Sequence, residues 1–68
     1  MNHDDYMHLA LNQAVKAQEM GEVPVGAVLV GEGGEILSAA YNRTICLHDP
    51  TGHAEILVLR EYAKKIFE

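Results

Sequence analysis

The stretch 23-VPVGAVLVGEGGEILSAAYN-42 decides the fold of this 68-residue chain. Residues 23–31 form a nearly continuous run of β-branched and small apolar residues, which is typical of a strand buried on both faces. The Gly-Gly pair at 33–34 supplies a turn, and residues 35–42 have the composition of a return strand. The sequence therefore predicts an antiparallel hairpin whose first strand is of the central type.

A helix is predicted before the hairpin, over residues 4–20. Apolar residues recur there at i, i+3, i+4 and i+7, the spacing of one helix face. Asp4 or Asp5 can cap the start, and Gly21 stands where a glycine commonly ends a helix. The stripe expected to be buried consists of Met7, Ala10, Leu11, Ala14 and Ala17.

A second helix is predicted after the hairpin, over residues 49–68. Asp49 is expected to be its N-cap and Pro50 its first residue, the helical position that proline prefers. The stripe expected to be buried consists of Ile56, Leu59, Ala63, Ile66 and Phe67. The order helix, strand, strand, helix indicates an α/β fold that forms one domain or part of one.

The size of the chain sets a limit on this fold. A two-stranded sheet is only marginally stable alone, and a strand of the central type needs a neighbour on its other side. A chain of 68 residues also lies near the lower limit for a single hydrophobic core. The sequence therefore predicts that further sequence or a partner subunit completes the sheet.

The composition is that of a small acidic globular protein. Hydrophobic residues make up 49% and charged residues 22%, which excludes disorder. The net charge of −5 argues against binding of nucleic acid by general electrostatic attraction. Any binding of nucleic acid must therefore depend on a specific pocket. The single cysteine, Cys46, excludes an intramolecular disulfide. No apolar run suits a bilayer and no signal segment opens the chain, so a cytoplasmic location is expected.

Two titratable residues stand at the opening of the second predicted helix, in 51-TGHAEIL-57. His53 and Glu55 project about 200° apart in an ideal helix, so they can converge only over its open N-terminal end. Neutral imidazole is a common metal ligand, and a nearby glutamate can shuttle protons for a metal-activated water. The alternative is that both are solvated residues of a first helical turn, where an acid suits the helix dipole.

Three blocks in order carry a family resemblance: "VPVGAVLV", "YNR" and "HDPTGHAE". They resemble the N-terminal half of the zinc-dependent cytidine/deoxycytidylate deaminase superfamily, and within it the bacterial tRNA adenosine deaminases that make wobble inosine. The resemblance extends from Tyr6 to about Arg60. It implies the N-terminal half, helix-strand-strand-helix, of the cytidine deaminase-like three-layer α/β/α fold. Residues 1–68 would then be a partial domain of that type.

The resemblance also implies roles for individual residues. His53 would be a zinc ligand, and Glu55 would be the catalytic acid and base. Asn42 would hydrogen-bond the target nucleoside. The pocket would be walled by the backbone of Val25, Gly26 and Ala27, with the glycine admitting the ring closely. Gly52 stands where similar proteins have alanine, at a cost in helix stability of up to about 1 kcal/mol.

The zinc site is expected to be incomplete in this chain. A catalytic zinc of this type needs three protein ligands and a water, and the family's P-C-x-x-C does not occur in these residues. Cys46 is an alternative ligand, but it lies before the helix, and a lone cysteine is commonly a small buried apolar residue. His48 is expected to brace the loop that enters the helix.

The function implied is hydrolytic deamination of adenosine to inosine at the tRNA wobble position, by a protein whose full-length relatives are homodimers. The chain would be a truncated or split part of such an enzyme, and inactive alone. Alternatives are a deaminase of a free base or nucleotide, and a non-catalytic dimerisation or packing module. The residues expected to be solvated or to contact RNA are Arg43, Arg60, Lys64 and Lys65.

Overall fold

A computed structural model describes residues 1–67 of the chain. Its elements are α1 (His3–Glu19), β1 (Gly26–Val30), β2 (Ile36–Tyr41) and α2 (Ala54–Phe67). The two strands pair antiparallel, with Gly26 opposite Tyr41 and an irregularity between Leu29 and Val30. The predicted hairpin is confirmed. Its first strand begins three residues later than the apolar run because Pro24 and its neighbours lead into the ladder without joining it.

The helices lie on opposite faces of the hairpin. Each helix contacts both strands, and within residues 1–67 the helices do not contact each other. The chain measures 34 × 30 × 12 Å along its principal axes. The thin dimension fits a ribbon two strands wide, since neighbouring strands lie about 4.8 Å apart. The predicted helix-strand-strand-helix half of a three-layer α/β/α fold is confirmed.

Residues close in sequence cap both ends of α1. Asn2, not Asp4 or Asp5, is the N-cap: its side chain accepts from the Asp5 amide at 2.9 Å. The Asp5 carboxylate accepts in return from the Asn2 amide at 3.0 Å, which completes a capping box. At the other end Gly21 adopts φ +77°, as a glycine that ends a helix does.

The face that α1 buries is rotated from the predicted stripe. Met7 and Leu11 are exposed, whereas Ala10 and Ala14 are partly buried and Ala17 is fully buried. The reason lies in β1. A Cβ on Gly26 would meet the Ala10 carbonyl oxygen and would lie 2.6 Å from the Ala14 amide nitrogen. Because the helix backbone lies directly on the strand, small side chains must face it and the larger ones lie to the side.

The second helix begins at Ala54, four residues later than the predicted first residue Pro50. Asp49 is not its N-cap, because its carboxylate accepts from the amide and hydroxyl of Thr51, at 2.9 and 2.7 Å, in a local turn. Gly52 is then held by the Arg43 amide, which donates to its carbonyl at 2.8 Å. Gly52 is therefore a buried residue of the loop before α2, and the helix-propensity cost expected for it does not apply.

The predicted buried stripe of α2 is also largely wrong. Ala54 and Val58 are its buried residues, while Leu59, Ile66 and Phe67 are exposed. In the described chain a two-stranded ribbon covers only a narrow strip of the helix, which is why these apolar side chains lack cover. No helix within residues 1–67 is long and apolar enough to cross a membrane.

Candidate functional site

The site is built on the N-terminus of α2. The His53 carbonyl accepts from the amides of Ile56 and Leu57, at 3.0 and 2.9 Å, so His53 is the residue that immediately precedes the helix. Glu55 is the second residue of the helix. Both side chains are exposed. The structure therefore places the two residues at the helix end, where amide N–H groups and the helix dipole favour negative charge.

Asn42 joins the end of the hairpin to this helix end. Its backbone amide donates to the Val25 carbonyl at 3.0 Å. Its side-chain Oδ1 accepts from the Ala54 amide at 2.8 Å, and both residues are buried. Because Oδ1 is engaged, the amide group has its Nδ2–H groups left to offer, and these make no hydrogen bond within residues 1–67.

The three residues predicted to wall the pocket have different surroundings. Val25 lies before β1 and is fixed by its bond with Asn42. The space a side chain on Gly26 would occupy is filled by α1. Ala27 lies opposite Ala40 in the hairpin. Close packing against α1 therefore explains why residue 26 is a glycine. That these three residues wall a substrate pocket stays a prediction.

A buried acid that the sequence analysis did not single out organises the loop between Asn42 and His53. The Glu22 side chain is 5% exposed. Its carboxylate accepts from the amides of Ile45 and Cys46, at 3.0 and 2.6 Å, and from the Thr44 hydroxyl at 3.4 Å. The only sequence signal for Glu22 is its position just before "VPVGAV".

The ionisation of Glu22 follows from these contacts. Burial by itself raises the pKa of the carboxyl group. The two loop amides, the Thr44 hydroxyl and the nearby Arg43 guanidinium together outweigh it and hold the pKa below its ordinary value. The carboxylate is therefore charged at neutral pH and works as an acceptor for the loop backbone.

A second acid fastens the same loop to α2. Asp49 accepts from Thr51, which lowers its pKa, and Arg60 adds a smaller contribution in the same direction. The Arg60 guanidinium reaches Asp49 Oδ2 at 3.4 Å and the Thr51 hydroxyl at 3.0 Å. Lys65 donates to the Leu37 carbonyl at 3.0 Å. Arg43 also contacts Cys46 Sγ and the Tyr41 ring, so three of the four basic residues expected to be solvated or to contact RNA have partners within the fold.

The residues present do not fit a complete zinc site. Among residues 1–67 no group of three histidine, cysteine, aspartate or glutamate side chains is placed to hold a metal ion. Cys46 is exposed and not buried as a lone cysteine commonly is, and its Sγ lies 4.0 Å from an Arg43 nitrogen. His48 is exposed with φ +53°. His53 remains as a single candidate ligand.

The helix-strand-strand-helix arrangement, with a helix on each face of the hairpin, is that of one half of a three-layer α/β/α domain. The chain belongs to the family described as cytidine and deoxycytidylate deaminase zinc-binding region, which matches residues 1–67. It is 46% identical over 66 residues to the tRNA-specific adenosine deaminase of Aquifex aeolicus, covering 97% of this chain and 43% of that protein. It is 50% identical over 60 residues to the protein of that name from Haemophilus influenzae, covering 88% and 35%.

A solved structure is similar in fold as well as sequence. It comes from a study of A-to-I editing by tRNA:A34 deaminases at the wobble position of transfer RNA. The match has a TM-score of 0.89 and 43% identity, and it covers 96% of this chain and 49% of that chain. The chain thus spans less than half the length of these curated relatives and about half of the solved one.

Proposed function

We propose that this chain contributes the His53–Glu55 portion of a hydrolytic deaminase that converts adenosine to inosine in tRNA, within the cytoplasm. The net reaction adds water and releases ammonia. The observation that carries the proposal is the α2 N-terminus, where His53 precedes the helix, Glu55 lies in its first turn and Asn42 is bonded to its Ala54 amide. The adenosine in tRNA is taken from what the similar proteins are named for.

Each of the three residues has a chemical task in this proposal. Glu55 is exposed at a helix end and can move protons between water, the ring nitrogen and the departing amine. Asn42 offers Nδ2–H to an acceptor on the nucleoside, because its oxygen is held by α2. His53 offers one imidazole nitrogen to a metal ion. The further zinc ligands implied by the family's zinc-binding region come from outside residues 1–67 in this proposal.

The test is a complementation assay. The chain is mixed with the part of the Aquifex aeolicus relative that it does not match, which the family resemblance expects to carry P-C-x-x-C. Inosine is measured in a tRNA anticodon stem-loop. The expected result is inosine formation by the mixture, abolished by Glu55→Gln and by His53→Ala but retained in Glu32→Gln, a matched change in the exposed hairpin turn.

The same assay contains its positive control, which is the relative divided at the corresponding point. If the two halves of the relative recombine into an active enzyme but the mixture with this chain forms no inosine, the proposal is wrong. Replacing the stem-loop by free adenosine, cytidine or deoxycytidylate separates a tRNA substrate from a nucleoside or nucleotide substrate. Sedimentation of the mixture tests the homodimer expected from the resemblance.

A second candidate function rests on the apolar surface. Leu59, Ile66 and Phe67 expose 55%, 54% and 84% of their surface along α2. Exposed apolar residues grouped on one element mark an interaction surface. A packing or dimerisation module without catalysis would use this surface and leave His53 and Glu55 without effect. The Glu55→Gln and His53→Ala variants therefore separate the two functions.

A further inference from the structure

A cavity outside the His53–Glu55 site lies between β2 and α2. Its volume is about 280 Å³. The strand residues 38–41 form one side, Leu57, Glu61 and Lys65 of α2 form the other, and Arg43 closes one end. We call this space the β2–α2 groove. The proposed deaminase chemistry does not use this groove, although Tyr41 and Arg43 of the "YNR" block line it.

Two residues that line this groove each carry a buried polar atom without a partner in residues 1–67. Ser38 is 5% exposed, and its buried Oγ has no hydrogen-bond partner within residues 1–67. The buried Nε of Arg43 also has none in that part of the chain. These are the two buried side-chain polar atoms of residues 1–67 that lack a partner, and both belong to residues that line the same cavity. Buried polar groups are nearly always paired, so two such atoms, each able to donate, together indicate a missing acceptor.

The strand adds backbone donors on the same side. The Asn42 amide points toward β1, because it donates to the Val25 carbonyl. Backbone groups alternate in direction along an antiparallel strand, so the N–H groups of Ala39 and Tyr41 point to the free edge of β2. The Leu37 carbonyl, at the irregularity of the same strand, accepts from Lys65 Nζ at 3.0 Å and so holds this ammonium beside β2.

The charges of the groove favour an anion. Arg43 and Lys65 bring two positive charges, and Glu61 brings one negative charge. The net charge of the lining is therefore positive, in a chain whose overall charge is −5. The Arg43 guanidinium carbon lies 5.8 Å from the centroid of the Tyr41 ring, which orients the arginine at the end of the groove.

We propose that the β2–α2 groove binds a phosphate ester. A phosphate group presents several acceptor oxygens, and these suit a hydroxyl, a guanidinium N–H, an ammonium and edge amides that approach from different directions. The volume of about 280 Å³ exceeds that of the phosphate alone and leaves room for the attached organic group beside Leu57. A free nucleotide and an RNA backbone share this chemistry. The RNA source rests on the proposed function, because Arg43 directly follows Asn42 of that site.

The experiment is an NMR titration of the isotopically labelled chain at low ionic strength. The probes are inorganic phosphate, adenosine monophosphate and a short single-stranded RNA. The expected result is a saturable shift of the Arg43 Nε–H signal and of the Ala39 and Tyr41 amides with the monophosphate. If the RNA binds more tightly than adenosine monophosphate, the phosphate that the groove binds belongs to an RNA backbone. If the RNA binds equally or more weakly, the ligand is a small nucleotide.

Paired variants give the proposal its sharp test. Arg43→Gln is expected to weaken monophosphate binding by roughly tenfold or more, because a charge-assisted hydrogen bond is lost. Lys64→Gln removes the same charge from an exposed residue outside the lining and leaves affinity within about twofold, the weak effect of a screened surface charge. Glu61→Gln is expected to strengthen binding, whereas Glu19→Gln on the exposed end of α1 does not. Each variant is first checked for a dispersed, native-like spectrum.

The proposal is overturned by any of three results. One is the absence of saturable shifts at millimolar monophosphate. Another is an equal loss of affinity in Arg43→Gln and Lys64→Gln, which would be a general charge effect. The third is weaker binding in Glu61→Gln. If Arg43→Gln does not fold, Ser38→Ala and Lys65→Gln take its place. His53→Ala is expected to keep phosphate binding, so failure here is distinct from failure of the deaminase proposal.

Discussion

At the scale of the residue, Asn42 has two tasks that use different atoms of one amide group. Its Oδ1 satisfies the Ala54 amide at the start of α2, and its Nδ2 is left to meet a ligand. The family resemblance assigns the ligand contact from the sequence. The structural task could not be predicted from the sequence, because the start of α2 was expected at Asp49.

Substitutions at Asn42 separate these tasks. Asn42→Ala is expected to destabilise the chain by about 2–3 kcal/mol, since the cap is lost and a buried amide is left unpaired. Asn42→Asp keeps the acceptor and loses the Nδ2 donors, so it should destabilise the chain less than Asn42→Ala does. An acid suits a helix N-terminus, and burial of its charge offsets part of that gain. Urea unfolding measures both. Equal destabilisation by the two variants would show that the cap is not the cause.

The charge of Glu22 predicts a pH dependence. The pKa of this carboxyl group in the folded chain is below its ordinary value of 4.5, owing mainly to the loop amides that outweigh its burial. A lowered folded pKa stabilises the fold above the unfolded pKa, and this contribution is lost as the pH falls from 4.5 through the folded pKa. The difference in unfolding free energy between the native chain and Glu22→Gln should therefore shrink below pH 4.5.

The comparison with Glu22→Gln isolates this group, because Asp49 titrates in the same acid range in both proteins. Hydrogen exchange of the Ile45 and Cys46 amides supplies a local readout near neutral pH. Both amides should lose protection in the variant, while amides in the middle of α1 keep theirs. A difference in unfolding free energy that stays constant from neutral to acid pH would contradict the role of Glu22.

At the scale of the element, the contact between α1 and β1 depends on Gly26. The sequence indicated only that something approaches the strand backbone closely there, and the family resemblance implied that this is the substrate ring. In the structure α1 fills the space that a side chain would occupy, because Ala10, Gln13 and Ala14 present backbone and a β-carbon to the glycine. The approach of the substrate ring stays a prediction. Hydrophobic periodicity predicts that α1 is a helix. It does not predict which face of α1 packs on β1, because at Gly26 the strand offers no side chain to pack against.

Gly26→Ala is expected to destabilise the chain by at least about 3 kcal/mol, the upper part of the range for overpacking. The new Cβ would lie 2.6 Å from the Ala14 amide nitrogen and 2.7 Å from Gln13 Cβ, so the helix must move off the strand. Gly52→Ala is the control, since its nearest contacts are at 3.1 to 3.2 Å. Thermal unfolding should show a clearly smaller loss there. A larger loss for Gly52→Ala would reverse this account of the packing.

The two helix starts illustrate what local patterns can and cannot predict. Asp49 and Pro50 match every short-range preference for a helix start, and yet the helix begins at Ala54. The decisive contacts come from elsewhere in the chain: the Arg43 amide on Gly52 and the Asn42 side chain on Ala54. Contacts of this range carry no periodic signal, so only the existence of the helix was predictable from the sequence.

At the scale of the whole molecule, the described chain is a two-stranded hairpin with one helix on each face, and it is only 12 Å deep along its thinnest axis. The order of elements and the hairpin were predictable, because a central-type apolar run and a double glycine determine them locally. The face that each helix buries was not predictable, and in both helices it is rotated from the predicted stripe. Apolar residues such as Leu11, Leu59 and Phe67 set the predicted stripes, and all three are exposed in residues 1–67 because a two-stranded ribbon cannot cover them.

The small number of metal-binding side chains brought together in residues 1–67 leads to a prediction about zinc. A structural or catalytic zinc site needs three or four donors converging on one point, and residues 1–67 bring no such group together. His53 alone offers one imidazole nitrogen, which binds zinc only weakly because most of the metal's water shell stays in place. The purified chain should therefore hold no stoichiometric zinc at micromolar concentration, and zinc should not raise its unfolding temperature beyond that of His53→Ala.

The complementing segment of the relative reverses this expectation. When the mixture of the two parts is assayed, zinc retention should appear and should depend on His53, because a single ligand becomes part of a set of three. Cys46→Ser is the matched control, since this exposed thiol precedes the helix and is not expected to join the set. Tight zinc binding by the chain alone, lost in Cys46→Ser, would instead mean that the loop rearranges to bring sulfur to His53. The hydrogen bonds from the Ile45 and Cys46 amides to the Glu22 carboxylate would then have to break.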